Sequence, residues 1–346
     1  MFGNDKIDIV IPWVDDNDPE WRAERDKWKN KISNQGGLDE GANNNLRYES
    51  WDNLQYWFRS VEQNMPWFNK IFFVTWGHIP DFLNTSHPKL RIVKHKDYIP
   101  AGYLPTFNSN TIEMNYHRIE DLSENFIIFN DDMFILQPTK ESYYFKNNLV
   151  CDSAIETPVM PVPADKNDSN RQWGCHIQIN NILFINRHFN KRDVQSKHYD
   201  KWFCSEYEEF LERNKSMSYW NNFCGFQNPH VPSAMKKSIL KHLWHIEPYT
   251  LDQASQNKFR YDTDVNQFLI RYWQFCEGNF LPRKTLGKAF TVNIHNCKEI
   301  AEIIKAKKLQ AVCTSEYCVP EEFVQIKRVI NAAFNEIFPN KSSFEK

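Results

Sequence analysis

The sequence predicts an α/β fold: a mixed, mainly parallel sheet with flanking helices and a helical insertion. Three observations carry this reading. Near-continuous apolar runs of strand length recur through the first 136 residues, as expected of strands covered on both faces. Segments with helix-start signals or helical spacing lie between them, and that alternation implies parallel pairing. After residue 150 the chain changes to polar loops and charged, aromatic-rich stretches.

The first strand is Lys6 to Val14, with the core IDIVIPWV. It ends at the acidic turn Asp15-Asp16-Asn17-Asp18-Pro19. A charged helix from Glu20 to Lys31 follows, with Asp18 as N-cap and Pro19 at the first helical position. Residues 33–45, SNQGGLDEGANNN, form a polar, glycine-containing loop and the best candidate for a mobile segment. Trp51, Leu54, Trp57, Phe58 and Val61 share one face of a helix over Tyr48–Gln63. Lys70–Thr75 is the second strand and Leu90–Val93 the third. Ile112–Leu122 reads as helical and leads into the apolar run Phe126–Phe129.

Beyond residue 150, polar loops (Pro158–Asn170) precede an alternating stretch, His176–Asn186, and a helical region, Asn190–Trp220. Helices dominate Pro232–Gly278. Residues 289–294 and 309–313 read as late strands around a helix from Lys298 to Lys307. Pro320–Phe338 is a final amphipathic helix with Phe323, Ile326, Ile330, Phe334 and Ile337 in a stripe, expected to pack on the core. The organisation expected is a single domain, 1–346. Its parts are an α/β half (1–150), an insertion (151–225), a second part of the core (226–320), and a terminal helix and tail (321–346).

Composition excludes several classes. At 41% hydrophobic and 15% aromatic residues, the chain is not a disordered one. It has only 10 Gly and neither GxGxxG nor GxxxxGK[ST], so a glycine-rich phosphate loop is not expected. A net charge of −2 argues against a general nucleic-acid binder. The N-terminal MFGNDKIDIVIPWV carries Asp5 and Asp8 and does not read as a signal peptide. No stretch approaches the roughly 20 apolar residues of a membrane span. The 8 Cys show no CxxC pair and no zinc-like spacing, so reduced thiols in a cytoplasm, mostly as small core residues, are expected.

The most informative stretch is Phe126–Phe134, FIIFNDDMF. Two adjacent carboxylates between apolar runs are costly unless neutralised. A divalent cation carrying a phosphorylated ligand would do this, since hard cations prefer oxygen. An acidic turn between two strands is the plain alternative. Three further clusters stand out: Trp13–Asp18, Leu104–Arg118, and His230-Val231-Pro232 with Arg260 and Asp264 thirty residues on. Glu113 and His117 stand at i, i+4, an ion pair or an orienting pair. Arg260 and Asp264 share that spacing and could be a surface pair. Together the clusters supply what phosphoryl transfer needs: carboxylates for a cation, Arg and His for the oxygens where charge develops, and a group to orient the attacking hydroxyl.

These motifs resemble the Stealth family of sugar-1-phosphate transferases. IDIVIPWVDDNDPEW (7–21) is similar to its first signature, and Leu54–Phe134 to its second. NPHVPSAMKKS (228–238) and NKFRYDTDVNQ (257–267) resemble the third. The tail IFPNKSSFEK is similar to the ends of bacterial members. The resemblance covers nearly the whole chain. It implies a nucleotide-binding α/β core like that of A-type glycosyltransferases, a UDP- or GDP-sugar donor, and Mg2+ or Mn2+. It also implies an oligosaccharide or polysaccharide acceptor of the capsular or exopolysaccharide kind.

By position, the resemblance implies Asp131 and Asp132 at the metal, and His230, Arg260, Asp264 and Asp132 in catalysis. Asp15, Asn108, Glu113, His117, Arg118 and Asn130 are implied at the substrate. The fourth signature, which usually ends in Asn-Asp, is here Val312-Cys313-Thr314-Ser315-Glu316, making Glu316 a candidate third metal ligand. The expected reaction is attack of a sugar hydroxyl on the sugar-proximal phosphorus, releasing UMP or GMP. An ordinary glycosyltransferase releasing a nucleoside diphosphate is the alternative enzyme, and a non-catalytic carbohydrate-binding module the alternative from another class. The expected location is the cytoplasm. Contact with the inner membrane face or with export machinery stays open.

Overall fold

A computed structural model of the chain describes residues 6–33, 48–160, 169–316 and 320–346. Eleven strands run through them: β1 (Ile7–Trp13), β2 (Ile71–Thr75), β3 (Leu90–Lys94), β4 (Asn125–Ile128), β5 (Met133–Ile135), β6 (Phe145–Lys146), β7 (Leu149–Asp152), β8 (Ser233–Lys236), β9 (Phe280–Pro282), β10 (Gly287–Val292) and β11 (Ala311–Glu316). The central sheet has the order β3-β2-β1-β4-β8. Its first four strands are parallel and β8 is an antiparallel edge, so the mainly parallel α/β reading holds. Ile9, Val10, Ile11 and Phe72, Phe73, Val74 are fully buried, which is why both strands read as unbroken apolar runs.

Three features of this sheet position the site. First, the chain leaves β1 for β2 and β3 on one side and returns to place β4 on the other. The crevice at the carboxyl ends of β1 and β4 is therefore the switch point where open α/β sheets bind ligands. Second, β5 does not fold back on β4. It pairs antiparallel with β11 in a second sheet, β10-β11-β5, so Asn130–Asp132 is a passage between sheets. Third, β8 runs antiparallel to β4 with Ile128 opposite Ser233. Asp132, four residues past Ile128, and His230, three before Ser233, are thereby delivered to the same place.

Most helices match expectation. Asp18 caps the helix Pro19–Ser33: its Oδ1 accepts from the Glu20 and Trp21 amides at 2.9 and 3.0 Å. The next helix spans Leu54–Asn64 and buries Leu54, Trp57, Phe58 and Val61. Residues 48–53 are left outside it and reach towards the site. The stripe of the last helix, Pro320–Ile337, packs inward, with Phe334 and Phe134 ring centroids 4.1 Å apart.

Two readings are corrected. His176–Asn186, read as alternating, lies inside one helix, Ser169–His188. Ile177, Ile182, Phe184 and Ile185 are buried, and the helix packs on Phe268–Glu277, so tertiary burial overrides the two-residue period. Ile112–Leu122 is instead a short helix, Ser109–Met114, followed by a 3-10 turn, Tyr116–Arg118. Helices dominate Pro232–Gly278 as expected, after β8, a strand too short to show a period. Of the loop expected to be mobile, residues 34–45 lie outside the described residues.

Candidate active site

A cavity of about 310 Å3 opens at the carboxyl ends of β1 and β4, within the size range of small-ligand sites. Trp13 at the end of β1, Val14 after it, His95 after β3, and Asn130, Asp131 and Asp132 after β4 line it. The two crossovers complete it: Tyr48–Trp51 from one, Thr106, Phe107, Ser109 and Glu113 from the other. His230, Arg260 and Ser315 close the remaining side. One wall is aromatic: Trp21 meets Tyr48 and Phe107 edge-on at 5.3 and 5.7 Å, and Phe107 stacks on Phe259 at 5.2 Å.

Asp132 is the centre of the opposite wall. Its Oδ2 accepts from Cys313 Sγ at 3.0 Å and lies 3.9 Å from His230 Nε2. Its Oδ1 is buried and accepts no hydrogen bond, and the same holds for Oδ1 of Asn130. A buried, unpaired oxygen costs about 1–3 kcal/mol, so two together on one turn ask for a partner. Asp132, His230 and Cys313 offer donor atoms all within 4.8 Å of one another. This donor set is compatible with a divalent ion. His230 is held with φ at 47°, a left-handed conformation costing an L-residue about 1–2 kcal/mol. Such strain concentrates at functional sites. Its side chain is 37% exposed, so it faces incoming substrate.

Arg260 faces this wall from a loop anchored in the core. Its Nη2 donates to Ser109 Oγ at 2.8 Å. Asp264, fully buried, ties the loop down. Its carboxylate accepts from the side-chain amides of Asn108, Asn110 and Asn257 at 2.8, 2.9 and 2.7 Å, and from the Tyr261 amide at 3.2 Å. Burial pushes its pKa up to about 6, against these four donors. Asp264 therefore positions the loop and does not line the cavity. Asn108 likewise acts from behind, capping Ser109–Met114. Glu113 is buried at the cavity edge. Burial raises its pKa to about 7, opposed by the charge of Arg260 and by hydrogen bonds from Gln267.

Asp15, His117 and Arg118 are not among the residues that line the cavity. Asp15 turns its carboxylate onto the Asn17 amide at 3.0 Å, while its own amide donates to His78 Nε2 at 2.8 Å. His117 and Arg118 pack against Trp244, the His ring 5.8 Å and the guanidinium 4.7 Å from it. Burial and neighbouring cations, Arg118 first, hold His117 down at about 3. Its spacing from Glu113 does not bring the two together, because the helix ends at Met114. Asp131 is exposed on the cavity rim. Glu316 closes β11, and its side chain lies outside the described residues. Sequence reasoning missed Cys313, His95 and the aromatic wall. His95, buried and held down to about 3 by desolvation, leaves Nδ1 without a partner. The one available signal for Cys313 was its place in the fourth signature.

Models of Stealth conserved regions 1 and 2 match residues 5–33 and 47–152. A capsular polysaccharide phosphotransferase, WcwK, of Streptococcus pneumoniae is 37% identical over 100% of both chains. An exopolysaccharide phosphotransferase, cps2G, of Lactiplantibacillus plantarum is 33% identical over 98% of this chain and 96% of its own. Among solved structures, mouse xyloside xylosyltransferase 1 aligns with 89% of this chain and 97% of its own, at 9% identity and a TM-score of 0.34.

Proposed function

The chain belongs to the Stealth family and is a phosphotransferase, and from that premise we propose that it transfers a hexose 1-phosphate from a UDP- or GDP-sugar to a sugar hydroxyl of a capsular or exopolysaccharide, releasing UMP or GMP. The carrying observation is the pair of buried, unpaired oxygens, Asp132 Oδ1 and Asn130 Oδ1, at the switch-point cavity. They suit Mg2+ or Mn2+, hard ions that take oxygen ligands. Asp132 and Asn130 would hold the ion, with Asp131 on the rim. When bound, it supplies charge neutralisation for the diphosphate.

The chain's own residues then divide the remaining work. Arg260, braced by Ser109, meets phosphate oxygens, where its planar fork binds two at once. His230 stands beside Asp132 at the exposed lip and takes the proton of the acceptor hydroxyl, a role imidazole suits near neutral pH. The hydroxyl oxygen bonds to the sugar-proximal phosphorus as the bond to the nucleoside monophosphate breaks. Tyr48, half-buried and backed by the buried Trp21 and Phe107, offers a flat face for one of the donor's rings. In this reading residues 1–150 bring most of the donor site, 226–320 bring His230 and Arg260, and 151–225 is an insertion outside the chemistry. A nucleotide-sugar donor places the enzyme in the cytoplasm. No helix among the described residues is long and apolar enough to cross a membrane.

The test is the nucleotide product. Incubation with a panel of UDP- and GDP-sugars, acceptor glycan and Mg2+ should release UMP or GMP on chromatography. Asp132→Asn should cut that release by roughly 1,000-fold. UDP or GDP as product would instead establish an ordinary glycosyltransferase. No turnover of any donor would favour a binding module.

A further inference from the structure

The carboxylate of Asp132 presents two unlike faces. Oδ1 is buried and accepts no hydrogen bond, and the same holds for Oδ1 of Asn130 on the same turn. Oδ2 lies with a thiol and an imidazole, Cys313 Sγ at 3.0 Å and His230 Nε2 at 3.9 Å. Ions that serve phosphoryl transfer bind oxygen and have little use for sulfur. A Cys, His and Asp set is what borderline-soft ions take. A tetrahedral zinc site places its ligand atoms about 3.4–3.6 Å apart, from bond lengths of about 2.0–2.3 Å. The two measured separations each differ from that by about half an ångström. We propose that Asp132 Oδ2, His230 Nε2 and Cys313 Sγ form a site for a thiophilic divalent ion of the zinc class, and that its occupation inhibits the enzyme by taking His230.

The three ligands come from three separate parts of the fold. Cys313 sits opposite Met133 in the β5–β11 pairing, one residue from Asp132, and the Thr314 amide donates to the Asp132 carbonyl at 3.0 Å. The strand pairing therefore fixes the thiol against the carboxylate. His230 closes the set from the strained turn before β8. Cys313 is buried, whereas His230 is 37% exposed, so an ion enters from the cavity side. On binding, the thiol proton leaves to solvent and the S–H···Oδ2 hydrogen bond is replaced by metal–ligand bonds. A fourth position is left for water or a substrate oxygen.

The binding half of this inference is independent of the reaction; the inhibitory half rests on the phosphotransfer reading. The test titrates the metal-stripped full chain with Co2+, a spectroscopic stand-in for zinc. One equivalent should produce a near-ultraviolet thiolate-to-cobalt band with tetrahedral visible bands, and Zn2+ should displace it. Cys313→Ser should abolish the thiolate band while circular dichroism shows the chain still folded. His230→Gln, at a half-exposed position, should keep the band and weaken affinity at least roughly tenfold. No band in the wild type, a band retained in Cys313→Ser, or unchanged affinity in His230→Gln each overturns the site. Zinc added over saturating Mg2+ should suppress monophosphate release. Binding without any turnover would indict the phosphotransfer reading; turnover with no binding, or turnover unaffected by bound zinc, would indict this one.

Discussion

Replacing Asp264 with Asn should change how stability depends on pH. Burial lifts this carboxyl from 3.8 to about 6. An acid whose pKa is raised on folding binds its proton more tightly in the native state. Its stabilising contribution is full below the unfolded value and is lost as pH rises through about 6. The shift of about 2 units corresponds to about 3 kcal/mol over the whole range, of which about 2 kcal/mol falls between about pH 4.5 and about pH 7.5. The Asn replacement carries no such titration. Its oxygen can still accept from Asn108 and Asn110, and its new NH2 meets Asn257, whose amide can turn to offer oxygen. Urea unfolding of both proteins at the two pH values gives the double difference. The variant should gain about 2 kcal/mol relative to wild type on going from the acidic to the neutral condition. A stability difference independent of pH would refute the assignment of a buried, strained charge at Asp264.

Three other outcomes follow from the same structure. His230→Gly should raise stability by about 0.5 kcal/mol in thermal unfolding, since relief of the left-handed strain outweighs the backbone entropy of glycine. Monophosphate release should meanwhile fall by roughly 100- to 10,000-fold. Arg260→Lys keeps the charge and loses the planar fork, so kcat/KM should fall by about 100-fold with little change in urea midpoint; near-wild-type kinetics would remove Arg260 from the phosphate site. Lys191 and Glu156 form a fully buried pair at 2.7 Å. Lys191→Met strands the carboxylate and should cost about 3–5 kcal/mol, much of it recovered by adding Glu156→Leu.

Much of the fold was legible because it is written in short-range order. The apolar runs of β1, β2 and β4, the Asp18 cap and the stripe of the last helix are local patterns, and each keeps its meaning in the folded chain. Elements with weak local signals were not legible. β8 is four residues long, and the helix Ser169–His188 carries polar residues around its circumference, so only packing against Phe268–Glu277 defines it. In the site, Asp132, Asn130, His230, Arg260 and Glu113 could be named from residue type and motif, and all line one cavity. The structure places Asp15, His117 and Arg118 off that cavity's lining, which chain spacing does not show: the helix that would align His117 with Glu113 stops at Met114.

By itself the sequence determined an α/β chain of the Stealth family with an acidic turn after a buried strand. Only the tertiary structure decided what that turn meets. Which of the two aspartates points inward, which of its oxygens stays unpaired, and that Cys313 and His230 flank the other oxygen all follow from long-range pairing. β5 leaves the central sheet for β11, and β8 returns antiparallel to β4. Such register is set by burial summed over many distant contacts, and no local window of residues contains it.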